Sequence, residues 1–563
     1  MGNKLQNHNH SQPGLLGNLI EECCRRFGSR PAMSMAMQQS ITYTDLFDRI
    51  VKLAAYLKYL GVGKGDRLAI LAENSPNWGI SYFATVKLGA VAVPILPDFT
   101  GPDVRNILIE SNASILFTTV RQLEKLYELN SHHHLTRIIT LDDSLEESTL
   151  LHIEPFSLVL QQGETLEMAE PAQPEMHQEE MASLIYTSGT TGHSKAVMLS
   201  HHNLIANVES ANKIIGVPIN ATFLSILPLS HTYEFTIGFL LPLLNGSRIV
   251  YLGKPPTPIL LEKVCRHEKP TALCAVPMVM EKIYKKRVAL FIDRHPAIKL
   301  AVRVPVVKKL LYKQIGKKLL DFFGGKLQIV AIGGAPLLHE VEKFLAIAEF
   351  PYIIGYGLTE AAPLLAAGPF GDKTVMLNST GKPVPGVTIR IANPDHKTGR
   401  GEIQARGPNI MKGYFNNSEL TAATIDKDGW LATGDLGYFD PNGNLYITGR
   451  LKSTIVLSHG ENIYPEIIED MINSSCSVAE SIVVAQEGRL VAHIYLDPDQ
   501  LSQEIHKKSP SERSRHIDKQ LKTIQNNVNR QLPPYSQINK VIERREPFIK
   551  TATQKIKRHL YTM

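Results

Sequence analysis

Hydrophobic positions along the chain follow two rhythms. Short apolar runs, such as RLAILAEN at 67–74 and AVAVPI at 90–95, read as buried strands. Between them apolar residues recur every three or four positions, as over 78–88, and read as helices. This alternation fills the first ~160 residues and predicts an α/β layer around a parallel sheet. A second α/β set is expected over about 181–357, with strands in SLIYT, RIVYL, ALCAVP, LQIVAIG and YIIGYG. Between the two, residues 161–180 hold six acids, two prolines and no Lys or Arg, the composition of an exposed connector. From about 377 the pattern changes to short alternating strands and Gly/Pro turns. Asp440-Pro441-Asn442-Gly443 is a hairpin turn between two of them. After Arg450 a mixed pattern returns and ends in a long polar helix near 511–531. The expected class is therefore α/β. A large N-terminal domain (1–450) would combine two α/β layers with a β-rich subdomain, and a small α+β domain (451–563) would follow.

Length agrees with this division, since 563 residues exceed one core and suggest three to four units at roughly 150 residues each. With 43% hydrophobic and 20% charged residues, bulk disorder and a polytopic membrane protein are excluded. The most apolar run, FTIGFLLPLL at 235–244, is interrupted by Pro242 and is half the length of a membrane span. The opening MGNKLQNHNHSQPG has no apolar leader, and Gln6 stands where a myristoylation pattern requires Ser or Thr. Five cysteines, with no CxxC pair, suit a reduced compartment and buried structural thiols. The expected location is cytoplasmic.

Charge is unevenly placed. Residues 281–326 carry 13 Lys or Arg against 3 Asp or Glu, while the whole chain is only +6. Within 304–323, Val307, Leu310, Leu311 and Ile315 fall near one helical face, and Lys308, Lys309, Lys313, Lys317 and Lys318 supply much of the rest. Such a helix is either a solvated surface element or a peripheral contact with the inner face of an anionic membrane. No aromatic residues are interleaved with the cations, so nucleic acid is not an expected partner. The triplet His132–134 lacks Cys or carboxylates at ligand spacing and reads as a surface loop.

The most informative stretch is ASLIYTSGTTGHSKAVMLSHHNL at 182–204. An apolar strand runs into Thr187, Ser188, Gly189, Thr190, Thr191, Gly192, His193, Ser194 and Lys195. Glycines let backbone N–H groups turn inward, hydroxyls add donors and Lys195 adds positive charge. These are the requirements of a phosphate cradle, although the spacing is not that of a Walker loop. A helix should follow, with Ser200 as N-cap and Leu204, Val208, Ala211 and Ile215 on its buried face.

YTSGTTGHSK resembles the signature loop of the adenylate-forming superfamily, which includes acyl-CoA synthetases, luciferase and peptide synthetase adenylation domains. Further motifs follow in order: LPLSHTYE (227–234), AIGGAPL (331–337), GYGLTE (355–360), TGDLGYFD (433–440), ITGRLKSTIVLSHGENIYPEIIE (447–469) and KTATQKIKRHLY (550–561). The longer forms are most similar to long-chain fatty-acid–CoA ligases.

The resemblance implies ATP, Mg²⁺ and coenzyme A as co-substrates and a fatty acid as acyl donor. A carboxylate attacks the α-phosphorus of ATP, and the site must offset repulsion between two anions. The loop 187–195 would hold the β- and γ-phosphates. Glu360 would help hold Mg²⁺, and Thr359 would meet the α-phosphate. Tyr356 would stack on adenine beside Gly334 and Ala335, while Asp435 and Arg450 would hold the ribose. His231 would sit between the acyl pocket and the thiol passage. Lys555 would bridge the carboxylate and the α-phosphate, although Gln554 replaces the glycine usual before that lysine. Lys452 corresponds to a hinge about which a mobile terminal domain turns. The turn would bring the loop with Gly460 and Glu461 to the coenzyme A side. An acyl-AMP ligase that loads a separate acyl carrier protein is the alternative reading.

Overall fold

The computed structural model describes residues 14–126, 133–143, 152–166, 175–187, 194–368, 372, 374–456, 462–505, 509–551 and 555–561. Two large sheets form the body. One has eight strands. From Met181–Thr187 outward through Val91–Pro94, Arg67–Leu71, Ile115–Thr118, Arg137–Thr140 and His152–Pro155, neighbours run parallel. Lys195–Ser200 and Gly413–Tyr414 add an antiparallel edge. The other sheet has nine strands and a parallel centre, with Thr222–Ser225 between Arg248–Tyr251 and Ala272–Ala275, followed by Ile329–Ile332 and Tyr352–Gly357. These strands read as continuous apolar runs because helices cover both faces of a parallel sheet.

The layers are not successive blocks of sequence, contrary to expectation. The strand Pro31–Met35 pairs with Arg248–Tyr251 in the nine-stranded sheet, and Met181–Thr187 joins the eight-stranded sheet. Periodicity identifies a strand but carries no information about which edge it extends. The acidic connector is also shorter than expected, because its first residues complete the helix Phe156–Thr165.

An antiparallel four-stranded sheet follows, ordered Thr388–Ala392, Gly401–Arg406, Leu431–Phe439, Leu445–Arg450. Its hairpin turns where expected. The Asp440 carboxylate accepts from the N–H groups of Asn442 (2.9 Å) and Asn444 (2.8 Å). Gly443 takes a φ of +79°, which a side chain would resist. Beyond it, Val478–Gln486, Arg489–Leu496 and Lys540–Arg544 form a three-stranded sheet. The helices Pro465–Asn473 and Pro510–Asn529 share a core with it through Ile468, Ile472, Leu521 and Ile524.

The apolar run at 235–244 is core. Glu234–Leu240 and Leu241–Leu244 are helical, and Phe235 and Phe239 pack against Trp78, Tyr82 and Phe83 with ring centroids 4.6–6.2 Å apart. Gly79 makes this packing possible, since a Cβ there would meet the Phe239 ring at 2.8 Å. Among the described residues no helix is long and apolar enough to cross a membrane. Cys23, Cys24, Cys265 and Cys274 are buried, whereas Cys476 is only half-buried.

Candidate active site

The strands Met181–Thr187 and Lys195–Ser200, which flank the candidate phosphate loop, pair as an antiparallel hairpin. Thr187 pairs directly with Lys195, which brings the two ends of the loop together. Ser188, Gly189, Thr190, Thr191, Gly192 and His193 lie outside the described residues. The following helix, His201–Ile214, starts as expected, with Ser200 and Asn203 forming a reciprocal cap. Leu204, Val208 and Ala211 are buried.

Lys195 sits 5.2 Å from the centroid of the Tyr414 ring. Tyr414 in turn donates its hydroxyl to Glu360 Oε1 at 2.8 Å. Tyr414 gave no sequence signal; antiparallel pairing of Gly413–Tyr414 with the strand behind the loop brings it in. Three buried asparagines hold the backbone around Glu360. Asn207 both donates to the Leu364 carbonyl (2.9 Å) and accepts from its N–H (3.1 Å), and Asn409 donates to the carbonyls of Ala361 and Leu364. Asn203 ties Pro408 and Ile410 to the same helix. Thr359 and Glu360 are thus fixed on a short 3₁₀ turn, Thr359–Ala361.

Glu360 is a single carboxylate, and no cluster of three or more His, Cys, Asp or Glu able to hold a metal occurs among the described residues. That donor set suits Mg²⁺ arriving on a polyphosphate, which needs one or two protein carboxylates, and not a metal caged by protein alone.

Tyr356, Asp435 and Arg450 converge. Asp435 lies directly across the hairpin from Arg450, whose Nε reaches Asp435 Oδ1 at 3.2 Å. Tyr356 donates its hydroxyl to Asp435 Oδ2 at 2.8 Å. Asp435 is buried, and among the described residues Oδ1 meets Arg450 and Oδ2 meets Tyr356. Gly334, with a φ of +88°, and Ala335 are exposed at the end of the neighbouring strand. A Cβ on Gly357 would collide with the Pro363 carbonyl, so the turn after Tyr356 admits only glycine.

His231 is held by a loop that Asn74 braces. Asn74 Nδ2 donates to the Leu227 carbonyl (2.6 Å) and to Ser225 Oγ (2.9 Å), and its Oδ1 accepts from Leu229 N–H (2.8 Å). The His231 Nδ1 accepts from the Tyr233 N–H at 3.3 Å, which leaves the proton on Nε2. Burial, helped by the Lys555 cation, pushes the imidazole down to about 4, so it is neutral at pH 7. Neighbouring Glu234 is buried, with Ser225 and Cys274 beside its carboxylate. Burial pushes it up to about 8, so it is mainly the neutral acid at pH 7.

Lys555 arrives from the far end of the chain. Its flanking cations are occupied within the terminal segment: Lys550 pairs with Glu480, and Arg558 with Glu469. Lys555 instead has Arg450, Asp435 and Glu360 as electrostatic neighbours. It remains solvent-accessible. Crowding by protein and the Arg450 cation push it down to about 8, against the pull of Asp435 and Glu360. Lys452 lies in an exposed turn, Leu451–Ser453. Gly460 and Glu461 lie outside the described residues. A separate contact joins the terminal segment to the body: Lys285 Nζ donates to the carbonyls of Asn473 and Val478, each at 2.9 Å.

Residues 20–415 match the AMP-binding enzyme family, and residues 452–562 match the AMP-binding enzyme C-terminal domain. The chain is 29% identical over 517 residues to a long-chain-fatty-acid–CoA ligase of Drosophila melanogaster, covering 85% of this chain and 75% of that protein. It is 30% identical over 497 residues to a 4-coumarate–CoA ligase of Oryza sativa subsp. japonica, covering 84% and 81%. In fold it resembles the O-succinylbenzoate coenzyme A synthetase of Bacillus subtilis, solved with ATP and magnesium ion. The TM-score is 0.74 at 23% identity, over 96% of this chain and 98% of that one.

Proposed function

The chain belongs to the AMP-binding enzyme family, and from that premise we propose that it is an ATP-dependent fatty-acid–CoA ligase. It would join a fatty acid to AMP with release of pyrophosphate, then pass the acyl group to the thiol of coenzyme A. The observation that carries this reading is Lys555, supplied by the terminal segment into the electrostatic neighbourhood of Glu360, Asp435 and Arg450.

In this reading the β- and γ-phosphates rest on the loop from Thr187 to Lys195, and Glu360 would hold a Mg²⁺ ion, which would supply charge to offset theirs. Asp435 and Arg450 hold the sugar and Tyr356 faces the purine. Thr359 donates to the α-phosphate. The Lys555 ammonium lies between the attacking carboxylate and the α-phosphate and stabilises charge as the P–O bond forms. Neutral His231 offers its Nε2–H to the acyl carboxyl without adding a second cation. With Lys452 as hinge between 1–450 and 451–563, the terminal domain turns once the adenylate exists. That turn withdraws Lys555 and brings Gly460 and Glu461 toward the thiol. The small apolar residues after Glu360 suit the approach of an alkyl chain. A fatty acid partitions into bilayers, so the reading includes peripheral contact with an anionic membrane surface.

The test is pyrophosphate exchange. The protein with palmitate, ATP, Mg²⁺ and labelled pyrophosphate is expected to return label to ATP, and added coenzyme A to yield acyl-CoA and AMP. No exchange with acids of any length would overturn the reading. Accumulation of acyl-AMP in the presence of coenzyme A would transfer the second step to an acyl carrier protein.

A further inference from the structure

Exposed large apolar side chains are scattered over most of the molecule, as on any soluble surface. One segment is different. Leu300 (65% exposed), Val304 (51%), Val306 (70%), Val307 (39%) and Leu310 (61%) lie within eleven consecutive residues. Their exposure follows from how the helix Pro305–Phe322 is seated. Its inward stripe is Tyr312, Gly316 and Leu319. Gly316 lets the backbone approach Ala348, where a Cβ would stand 2.8 Å from the Ala348 methyl, and the Tyr312 ring meets Phe344 at 5.2 Å. This seating turns Val307 and Leu310 outward, while Leu311 and Ile315 are half-buried and Ile315 packs against the core. Helical spacing then puts Val306, Leu310, Gln314 and Lys317 on the opposite stripe. The preceding helix Pro296–Ala301 has no buried residue and sets Leu300 beside it.

The outward stripe is apolar at its N-terminal end and basic further along. Lys317 is exposed on it and Lys318 beside it, while exposed Lys309 lies on the strip of Lys313. Lys313, linked to Glu349 at 2.7 Å, borders it. The surrounding segment, 281–326, holds 13 basic residues against 3 acidic ones.

We infer that this ridge docks on an anionic phospholipid bilayer, with Val304, Val306 and Leu310 entering the headgroup–acyl boundary and the lysines meeting lipid phosphates. Apolar side chains beside long flexible cations match an interfacial helix. The charge argues against a second copy on the same surface, because two such segments would repel each other. The inference depends on the ligase reading for its purpose, access to a membrane-dissolved acid, but not for its geometry.

The test is sedimentation of the full chain with phosphatidylcholine vesicles, with and without about 30 mol% phosphatidylserine, at low and high salt. Binding to the anionic vesicles is expected to exceed binding to the neutral ones about tenfold and to weaken with salt. Val306→Ser/Leu310→Ser and Lys309→Glu/Lys317→Glu should each lower it about tenfold. Pyrophosphate exchange on a short soluble acid should stay at the wild-type level, which also shows that the variants fold. Wild-type protein that stays off anionic vesicles overturns the inference, as do variants that bind normally. Loss of a dimer in Val306→Ser/Leu310→Ser, in place of loss of vesicle binding, assigns the ridge to a second copy and also overturns it. Vesicle binding without exchange on any acid would refute the ligase reading alone.

Discussion

Asp435 and Lys555 are electrostatic neighbours held in opposite ways. Asp435 is buried on a hairpin, paired across it with Arg450, and bonded by Tyr356. Lys555 is solvent-accessible on a loop of the terminal segment, fastened at its flanks by the Lys550 and Arg558 ion pairs. In the proposed reading the nucleotide wall is organised before ligand arrives, and the cation is a detachable part. A fixed wall can serve both half-reactions; a detachable cation can serve one and leave.

The sharpest way to break this contrast is Lys555→Ala. Adenylation should fall by roughly 10²–10³, while thioester formation from supplied acyl-AMP stays within a few-fold. Equal loss in both steps would make Lys555 part of the fixed wall. Asp435→Asn should impair both half-reactions. It replaces an ionised acceptor of two donors by a neutral one, about 1.5–3 kcal/mol in nucleotide binding, read as a raised KM for ATP and weaker binding of acyl-AMP.

Lys285→Met tests the docking. It removes the two hydrogen bonds that join the body to Asn473 and Val478 and should slow adenylation several-fold more than the thioester step. Lys285→Arg should recover part of the loss, because a cation still faces the end of the helix Pro465–Asn473.

Two smaller effects depend on pH. Lys555 is pushed down to about 8, so its charged form is lost as pH rises through that value. The kcat/KM of adenylation should decline above pH ~8, and Lys555→Arg should move that limb upward. Glu234 is pushed up to about 8 by burial. Its unfolded form binds fewer protons than its folded form between the two values, so its contribution to stability declines as pH rises. The melting temperature of the wild type, relative to Glu234→Gln, should fall between pH 5 and 9. A pH-independent difference would mean that Glu234 is already ionised.

Several local features around the candidate site were legible because they lie in compact motifs set by near neighbours in sequence. Ser200, the Asp440–Gly443 turn and the strand ends at Thr187 and Tyr356 are set by neighbours a few positions away. Asn74, Asn207, Asn409 and Tyr414 were not legible. Each acts on a loop far along the chain, as when Asn74 braces Leu229, and a lone asparagine looks the same whether it braces a site or caps a turn. The seating of the basic helix was missed for a related reason. Periodicity placed Val307, Leu310, Leu311 and Ile315 near one helical face, but close approach at Gly316 to Ala348 decided which part of the helix meets the core. The exchange of strands between the two sheets was equally invisible, since edge choice depends on surfaces made elsewhere.

The most direct test is a crystal structure of the full chain with a non-hydrolysable ATP analogue, Mg²⁺ and a fatty acid. The expected result has the sugar hydroxyls on Asp435 and the Lys555 ammonium at the α-phosphate. A nucleotide whose sugar lies away from Asp435, or a Lys555 turned out to solvent beside an occupied site, would contradict it.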